Sequence, residues 1–512
     1  NRVEYIAAWM GFSKIGVATA LINTNLTGQA LGHCLTISGA FQIVADEDCW
    51  RAVEDARPFV NRNLMLWVLG LKEADEASER RGLDKAVRGG SSVRPAKSGR
   101  DGMTNRDTAL FIYTSGTTGL PKAANINHYR IMLAANGFAG MMNVKSSDRM
   151  YDCLPMYHTA GGVVATGPLL VTGGSVVIRE RFSAREFWDD VVRHDCTMFQ
   201  YIGELCRYLV NSPPNANETK HKIRLACGNG LRPDLWEAFQ ARFRIPRILE
   251  FYAATEGNVN IFNCDGKPGA VGRVPWFVAH RFPIAVVRFD VEKQQPLRNA
   301  DGFCETCAPN EAGEVIGRIL NDPSKPSNRF EGYASAKQNE NKILRDVFAK
   351  GDMWFRTGDL MRQDERGYFY FVDRVGDTFR WKGENVSTTE VAEAINAVPG
   401  IEDANVYGVA VSGRDGRAGM AAITCKGACD LSALHAHLSS NLPDYARPVF
   451  LRLQNHLEMT STFKQKKVDL VREGFNPAIT GDPIYFSDPA SKGFVRLDDK
   501  LYRRIESGDV RL

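Results

Sequence analysis

The ten residues YTSGTTGLPK, Tyr113 to Lys122, directly follow the apolar run Leu110-Phe111-Ile112. They have little apolar surface to bury, so their value must be chemical. Gly116 and Gly119 let the backbone turn tightly and bring N–H groups close to an anion. Thr114, Ser115, Thr117 and Thr118 add hydroxyl donors, and Lys122 adds a charge. That inventory suits a polyphosphate. A plain solvated turn does not account for this density of donors with a Pro-Lys end after a strand. The run is not a Walker loop, because Pro121 stands where that pattern needs glycine before the lysine. No G-x-G-x-x-G follows a strand elsewhere, so a Rossmann dinucleotide site has no support.

The elements that must position this loop are read from periodicity. FQIVAD (41–46), NLMLWVLG (63–70), ALFIYTS (109–115), SVVIRE (175–180), CTMFQYIG (196–203) and KIRLACGNG (222–230) are expected as buried strands. SAREFWDDVVRH and RPDLWEAFQARF are expected as helices between them. The loop itself is expected to lead into the helix NHYRIMLAANGFAG. The alternation predicts α/β architecture with largely parallel sheets up to about residue 290. Residues 291–370 carry more turn signals and predict a smaller β-rich unit. In STTEVAEAINAVPG, Ser387 and Glu390 form a capping box, Val391, Ala394, Ile395 and Val398 line one face, and Pro399-Gly400 stop the helix. A compact α+β unit follows. The expected division is 1–371, a hinge at 372–376, and 377–512.

Composition narrows the class. The chain has 512 residues, 44% hydrophobic and 24% charged, an ordinary globular balance with length for two or more domains. A net charge of +4 gives no reason to expect nucleic acid as a partner. The 11 cysteines are scattered. Cys34, Cys153, Cys206 and Cys227 sit in apolar contexts, so a reducing, cytosolic setting fits better than a disulfide framework. Cys304 and Cys307 form one C-x-x-C without the second pair a zinc site needs. The stretch Cys153 to Ile178 lacks charge, yet Pro155, Pro168, His158 and its glycine pairs predict strand–loop–helix–strand, not a membrane span. The chain begins at Asn1, not Met, so an N-terminal start is expected to be missing and no secretory signal is visible.

With the loop in view, the chain resembles the adenylate-forming superfamily of acyl-CoA synthetases, adenylation domains and luciferases. YTSGTTGLPK looks like its phosphate loop. LPMYHTAGG (154–162) is similar to the acyl-pocket segment, and FYAATEG (251–257) to the aromatic-x-x-Thr-Glu motif. FRTGDL (355–360) matches the ribose-binding Thr-Gly-Asp. DRVGDTFRWKGENVSTTEV (373–391) matches the hinge and the start of the mobile domain, and TSTFK (460–464) the segment bearing the catalytic lysine. The longer runs 181–211 and 228–258 look like the fatty acid transport protein, or very-long-chain acyl-CoA synthetase, branch. The implied fold is a large N-terminal domain of stacked α/β sheets with a β-rich subdomain, followed by a small mobile C-terminal α+β domain.

The resemblance implies a two-step reaction. A carboxylate attacks the α-phosphorus of ATP, giving acyl-adenylate and pyrophosphate; the thiol of coenzyme A then takes the acyl group and AMP leaves. Bringing an anionic nucleophile to a polyanion requires positive charge and exclusion of water. Tyr113 to Gly119 and Lys122 are implied for the phosphates, Glu256 with Thr114 for Mg²⁺, and Thr255 beside them. Lys464 is implied at the carboxylate and α-phosphate; the other lysines of TFKQKK read as a solvated basic run. Asp359 and Arg374 are implied for the ribose, and Tyr252 with Gly228, Asn229 and Gly230 for adenine. His158, Thr159, Gly161 and Gly162 would line the acyl mouth, with His158 as gate and Tyr201, Ile202 and Gly203 further along. Gly383 would admit the thiol arm. The superfamily's usual hinge Asp or Lys is here Gly376, which still permits a large backbone rotation.

The expected function is an ATP-dependent long- or very-long-chain fatty acid–CoA ligase, with coupling to uptake in the sense that thioester formation traps entering acid. The alternatives are a protein whose main role is import, and an acyl-AMP ligase serving a carrier protein in trans. The expected location is the cytoplasmic side, peripheral to the plasma membrane.

Overall fold

The computed structural model describes residues 1–70, 80–114, 120–320, 329–335, 339–414, 416–459, 465–510 and 512. Two compact units emerge. The first comprises Asn1–Leu231, Ala238–Gly266 and Arg318–Leu344; the second comprises Arg232–Glu237, Lys267–Gly317 and Arg345–Leu512.

In the first unit the strands Ser175–Ile178, Arg149–Asp152, Met198–Ile202, Leu225–Asn229 and Ile248–Ala253 lie side by side and run parallel, with Asn260–Asn263 added antiparallel. The inner strands Arg149–Asp152, Met198–Ile202, Leu225–Asn229 and Ile248–Ala253 are buried on both faces for most of their length, as parallel strands covered by helices require, while Ser175–Ile178 at the edge is only partly covered. One face holds Phe138, Met150, Met198, Leu225, Leu249 and Phe251. The other meets an aromatic cluster in which Phe187, Trp188 and Phe199 pack edge to face. A second parallel sheet joins Gln42–Asp46, Met65–Leu69 and Arg80–Gly82.

The sheet that carries the phosphate-loop candidate differs from expectation. Thr108–Thr114 pairs parallel with Thr19–Leu21 but antiparallel with Lys122–Asn127. The loop therefore closes a hairpin and does not lead straight into the helix, which begins at His128. KAANIN escapes sequence reading because Ala and Asn have weak strand preference; register with Thr108–Thr114 supplies what propensity does not. Asn127 caps the helix, accepting from Arg130 N at 2.9 Å.

The stretch 153–178 resolves into a π-helix at Ala160–Val164, a helix at Gly167–Thr172 and the strand Ser175–Ile178. Among the described residues no helix is long and apolar enough to cross a membrane.

In the second unit Gln295–Pro296, Ile284–Asp290, Ala312–Arg318, Met353–Gln363, Tyr368–Arg374 and Gly272–Arg273 follow one another across one sheet, antiparallel among the first three and again among the last three. A hairpin, Phe379–Trp381 with Glu384–Val386, comes next in the chain. Five further strands, Ile401–Val409, Ala418–Cys425, Phe450–Leu453, Ile484–Asp488 and Gly493–Arg496, form one sheet. Val391, Ile395, Leu434, Leu438 and Ile505 from its helices pack on Val406, Met420 and Phe450. Ser387 caps its helix as the sequence predicts, accepting from Glu390 N at 3.2 Å.

Cys34, Cys153, Cys206 and Cys227 are free thiols in the core, as their apolar contexts predict. Cys425 and Cys429 depart from the expectation of reduced cysteines: they form a disulfide with Cα atoms 5.7 Å apart. Four residues of separation make it a local loop, not a framework.

Candidate active site

The ends of the phosphate-loop candidate are fixed by register, Thr114 standing opposite Lys122. Ser115, Gly116, Thr117, Thr118 and Gly119 lie outside the described residues. Tyr113 is committed to the core, its buried phenol donating to Cys34 O at 2.7 Å. Its side chain therefore anchors the strand that presents the loop.

Glu256, 8% exposed, lies in the loop between the strands Ile248–Ala253 and Asn260–Asn263. Three donors hold this segment. The guanidinium of Arg130 donates to the carbonyls of Thr255 at 2.9 Å, Glu256 at 3.4 Å and Gly257 at 2.7 Å. Thr255 and Thr159 share a hydroxyl bond of 3.2 Å, which joins the Thr-Glu motif to the acyl-mouth segment. The phenol of Tyr333 donates to Glu256 Oε1 at 2.5 Å. Lys122 Nζ stands 5.6 Å from the centroid of that same ring. A carboxylate, an ammonium and hydroxyls thus gather at one end of the first unit. The donors are all hard oxygens, and among the described residues no group of three or more His, Cys, Asp or Glu forms a metal cage. One carboxylate supplemented by phosphate oxygens is the usual setting for Mg²⁺, so these residues fit it.

The glycines of the acyl-mouth candidate have a packing role. A Cβ on Gly161 would fall 2.7 Å from Pro155 O, and one on Gly162 would fall 2.2 Å from Met156 O. Both are needed for the π-helix to settle on residues 154–156. His158 is half-buried, its ring 4.6 Å from that of Tyr157.

Tyr201 is fully buried, and its phenol donates to Glu250 Oε2. Its ring closes on Gly228, where a Cβ would lie 2.4 Å from the ring. A Cβ on Gly203 would lie 1.6 Å from Gly230 O, so the adenine and acyl candidates touch through backbone. No motif in the sequence singles out Glu250. It is 2% exposed, and its other oxygen accepts from Gly230 N and, at 3.2 Å, from Leu231 N. Burial pushes its carboxyl up to about 8, against the pull of these three hydrogen bonds. Tyr252 sits on the opposite face of its strand from buried Phe251 and is half-exposed.

In the second unit Asp359 and Arg374 face each other on neighbouring strands, with Arg374 Nε 3.8 Å from Asp359 Oδ1. The turn before Asp359 is built for this. Thr357 Oγ1 donates to Val315 O at 2.7 Å and accepts from Asp359 N at 3.1 Å. Gly358 takes φ 78°, and its N–H reaches the buried Glu314, which also binds Arg356 through two nitrogens.

Gly376 has φ 94°, a conformation that favours glycine, with open space where a Cβ would stand. Lys382 and Gly383 both have positive φ, 51° and 83°, and make the two-residue turn of their hairpin. Lys464 lies outside the described residues. Lys467 is not a solvated lysine: it donates to Asp377 at 3.0 Å and Thr388 Oγ1 at 2.9 Å. Spacing gave no sign of this, because both partners come from far earlier in the chain. Asp373, buried beside it, accepts from Thr388 N, Thr388 Oγ1 and Thr378 Oγ1.

The comparisons agree with this architecture. Residues 1–316 match the model of the AMP-binding enzyme family, and residues 390–464 that of the AMP-binding enzyme C-terminal domain. The long-chain fatty acid transport protein 3 of Mus musculus is 44% identical over 99% of this chain and 76% of its own. The long-chain fatty acid transport protein 1 of Homo sapiens is 42% identical over 100% of this chain and 79% of its own. Among solved structures, a benzoate CoA ligase from Burkholderia xenovorans aligns with TM-score 0.72 and 20% identity, covering 91% of this chain and 86% of that one. The o-succinylbenzoate CoA synthetase of Bacillus subtilis, solved with ATP and magnesium ion, aligns with TM-score 0.69 and 22% identity over 91% and 86%. At such identities the solved structures speak for the fold. The near half identity to whole-chain relatives speaks for descent, and the chain belongs to the AMP-binding enzyme family, in the branch of the long-chain fatty acid transport proteins.

Proposed function

We propose that this protein is an ATP-dependent long- or very-long-chain fatty acid–CoA ligase that works through an acyl-adenylate. The observation that carries the reading is the gathering of Lys122, Glu256 and Thr114 at the mouth of the phosphate-loop hairpin, with Thr255 bonded to the acyl-mouth residue Thr159. The acyl class is supported by the names of the relatives.

In the first step the loop N–H groups and Lys122 hold the phosphates. Mg²⁺, when bound at Glu256, offsets phosphate charge. Thr114 and Thr255 add hydroxyl donors at the same end. Asp359 accepts from the ribose hydroxyls with Arg374 beside it, while Tyr252 and the Gly228–Gly230 backbone take adenine. Lys464 neutralises the approaching carboxylate. His158, Thr159, Gly161 and Gly162 border the acyl group. In the second step the domain that follows residues 372–376 turns about Gly376, Lys464 withdraws and Gly383 borders the thiol of coenzyme A. We retain 1–371 and 377–512 as the functional domains on this reading.

A role in uptake rests on the same chemistry: the relatives carry the name of transport proteins, and thioester formation would draw fatty acid inward. Peripheral attachment on the cytoplasmic side belongs to this reading.

Pyrophosphate release over a panel of carboxylates, with and without coenzyme A, tests it. Release is expected with long-chain acids. Glu256→Ala and Lys122→Ala should each abolish it, and near-wild-type release by either variant at saturating ATP would refute that residue's role. Release with every acid but no thioester would favour transfer to a carrier protein.

A further inference from the structure

Tyr333 belongs to none of the motifs that carry the family resemblance, yet three residues of the phosphate end meet on it. Its phenol donates to Glu256 Oε1 at 2.5 Å, the Thr114 side chain lies beside the same phenol, and Lys122 Nζ stands 5.6 Å from the ring centroid. The side chain is 5% exposed. Phenylalanine would fill the same volume, so packing alone does not explain the hydroxyl.

The backbone is fixed with equal care. Ala334 N donates to Ala123 O at 3.0 Å, and Asn125 N to Gly332 O at 2.9 Å. Residues 332–334 thereby add to the edge of the strand that begins with Lys122, about which the sequence separation gives no hint. The side-chain amide of Asn339 accepts from Tyr333 N at 2.6 Å and donates to Tyr333 O at 3.1 Å. Gly332 has φ 71°, and a Cβ there would fall 2.5 Å from Asn339 Oδ1, so the turn requires glycine.

We propose that Tyr333 is a positioning residue that sets Glu256 for the divalent cation and Lys122 for the nucleotide phosphates. This deepens the ligase reading and rests on it. By donating to Oε1, the phenol fixes the orientation of the carboxylate, and the other oxygen of Glu256 would be the one to hold a divalent cation. The ring face attracts the ammonium and limits where the long lysine chain can swing.

Two variants separate these tasks. Tyr333→Phe keeps the ring and loses the donor; Tyr333→Leu loses both. The first measurement is Mn²⁺ affinity by electron paramagnetic resonance in the presence of α,β-methylene-ATP, which needs no turnover. The second is nucleotide affinity without metal. Tyr333→Phe is expected to weaken Mn²⁺ binding by about tenfold, the scale of a lost partner to a metal ligand, with metal-free nucleotide affinity unchanged. Tyr333→Leu should weaken Mn²⁺ equally and nucleotide a few-fold in addition. In steady state the KM values for fatty acid and coenzyme A should stay put in Tyr333→Phe. Unchanged Mn²⁺ affinity in Tyr333→Phe overturns the proposal. So does a uniform loss across every ligand with a lowered Tm, which is the mark of a packing residue. Wild-type protein that releases no pyrophosphate with any carboxylate overturns the ligase reading instead, and the Mn²⁺ and nucleotide titrations still decide the role of Tyr333.

Discussion

Two buried carboxylates, each 2% exposed, hold the two regions that the proposed chemistry needs, and they do so with different partners. Glu250 in the first unit has neutral donors: the backbone of Gly230 and Leu231 and the phenol of Tyr201. Asp373 in the second unit has the hydroxyls of Thr378 and Thr388, with the ammonium of Lys467 beside it. Burial raises both carboxyls, and Lys467 pulls that of Asp373 back. Lys467 in turn bonds Asp377, so the ties straddle Gly376. The wall around Gly228–Gly230 is clamped by contacts where an added Cβ would collide, whereas at Gly376 it would meet nothing. One region is built to stay and the other can turn if its polar ties are remade. Neutral donors make the first sensitive to pH; a charged partner makes the second sensitive to the loss of that charge.

The comparison breaks most sharply if the two half-reactions cannot be separated. Lys464→Ala should cut acyl-adenylate formation by about a hundredfold or more, on the scale of about 3 kcal/mol for a lost transition-state contact. Thioester formation from presynthesised acyl-AMP and coenzyme A should survive. Gly383→Leu should do the reverse, with circular dichroism confirming that the strained turn still folds. Equal loss of both half-reactions in both folded variants would refute domain alternation.

A cut in the fixed region should instead depress both steps. Arg130→Ala leaves the carbonyls of Thr255, Glu256 and Gly257 without their donor. An unmade bond at a buried acceptor costs about 1–3 kcal/mol. Adenylation and thermal stability should fall together, and Arg130→Lys should restore only part, since an ammonium lacks the guanidinium fork. Full activity in Arg130→Ala would show that the Thr-Glu segment holds its own shape.

Lys467→Met tests the hinge. The pair with Asp377 is partly exposed, with side chains 22% and 35% accessible, and contributes about 1 kcal/mol; the loss of the charge beside buried Asp373 adds to that cost. The balance between half-reactions should shift, read as a changed ratio of adenylation to thioester formation. An unchanged ratio with lowered Tm would make the pair a simple fold contact.

The smallest effect on the two half-reactions is expected from Glu250→Gln, which keeps the shape of the side chain. The folded carboxyl sits near 8 and its ordinary value is 4.5. A raised pKa means that the folded state binds more protons between those values, so this group's contribution is full below about 4.5 and is lost as pH rises through about 8. Glutamine does not titrate and should flatten the fall in stability across that window in denaturant titrations. An identical pH slope in the variant would show that Glu250 does not titrate there.

Much of this was legible in the chain. Strands such as Gln42–Asp46, Met65–Leu69 and Met198–Ile202 follow from their apolar runs, and the helix after Ser387 from its cap and stripe. The order of motifs from Tyr113 to Lys464 was enough for the family. The strand Lys122–Asn127 was not legible, because short polar residues carry no strand signal until a partner fixes their register. The tie between Tyr201 and the buried Glu250 was not legible either, because the two lie far apart in the chain.

What the sequence alone determined is local: which segments hide from water, where a glycine must turn, and which side chains bring charge and hydroxyls to a loop. Those depend on neighbours a few residues away, and periodicity records them. Tertiary structure decided which distant groups meet. Arg130 reaches Thr255 across 125 positions, Tyr333 reaches Glu256 across 77, and Glu250 reaches Tyr201 across 49. A side-chain hydrogen bond forms only when donor and acceptor come within about 3 Å. Across such separations it is the packing of strands and helices, not the spacing along the chain, that sets the distance.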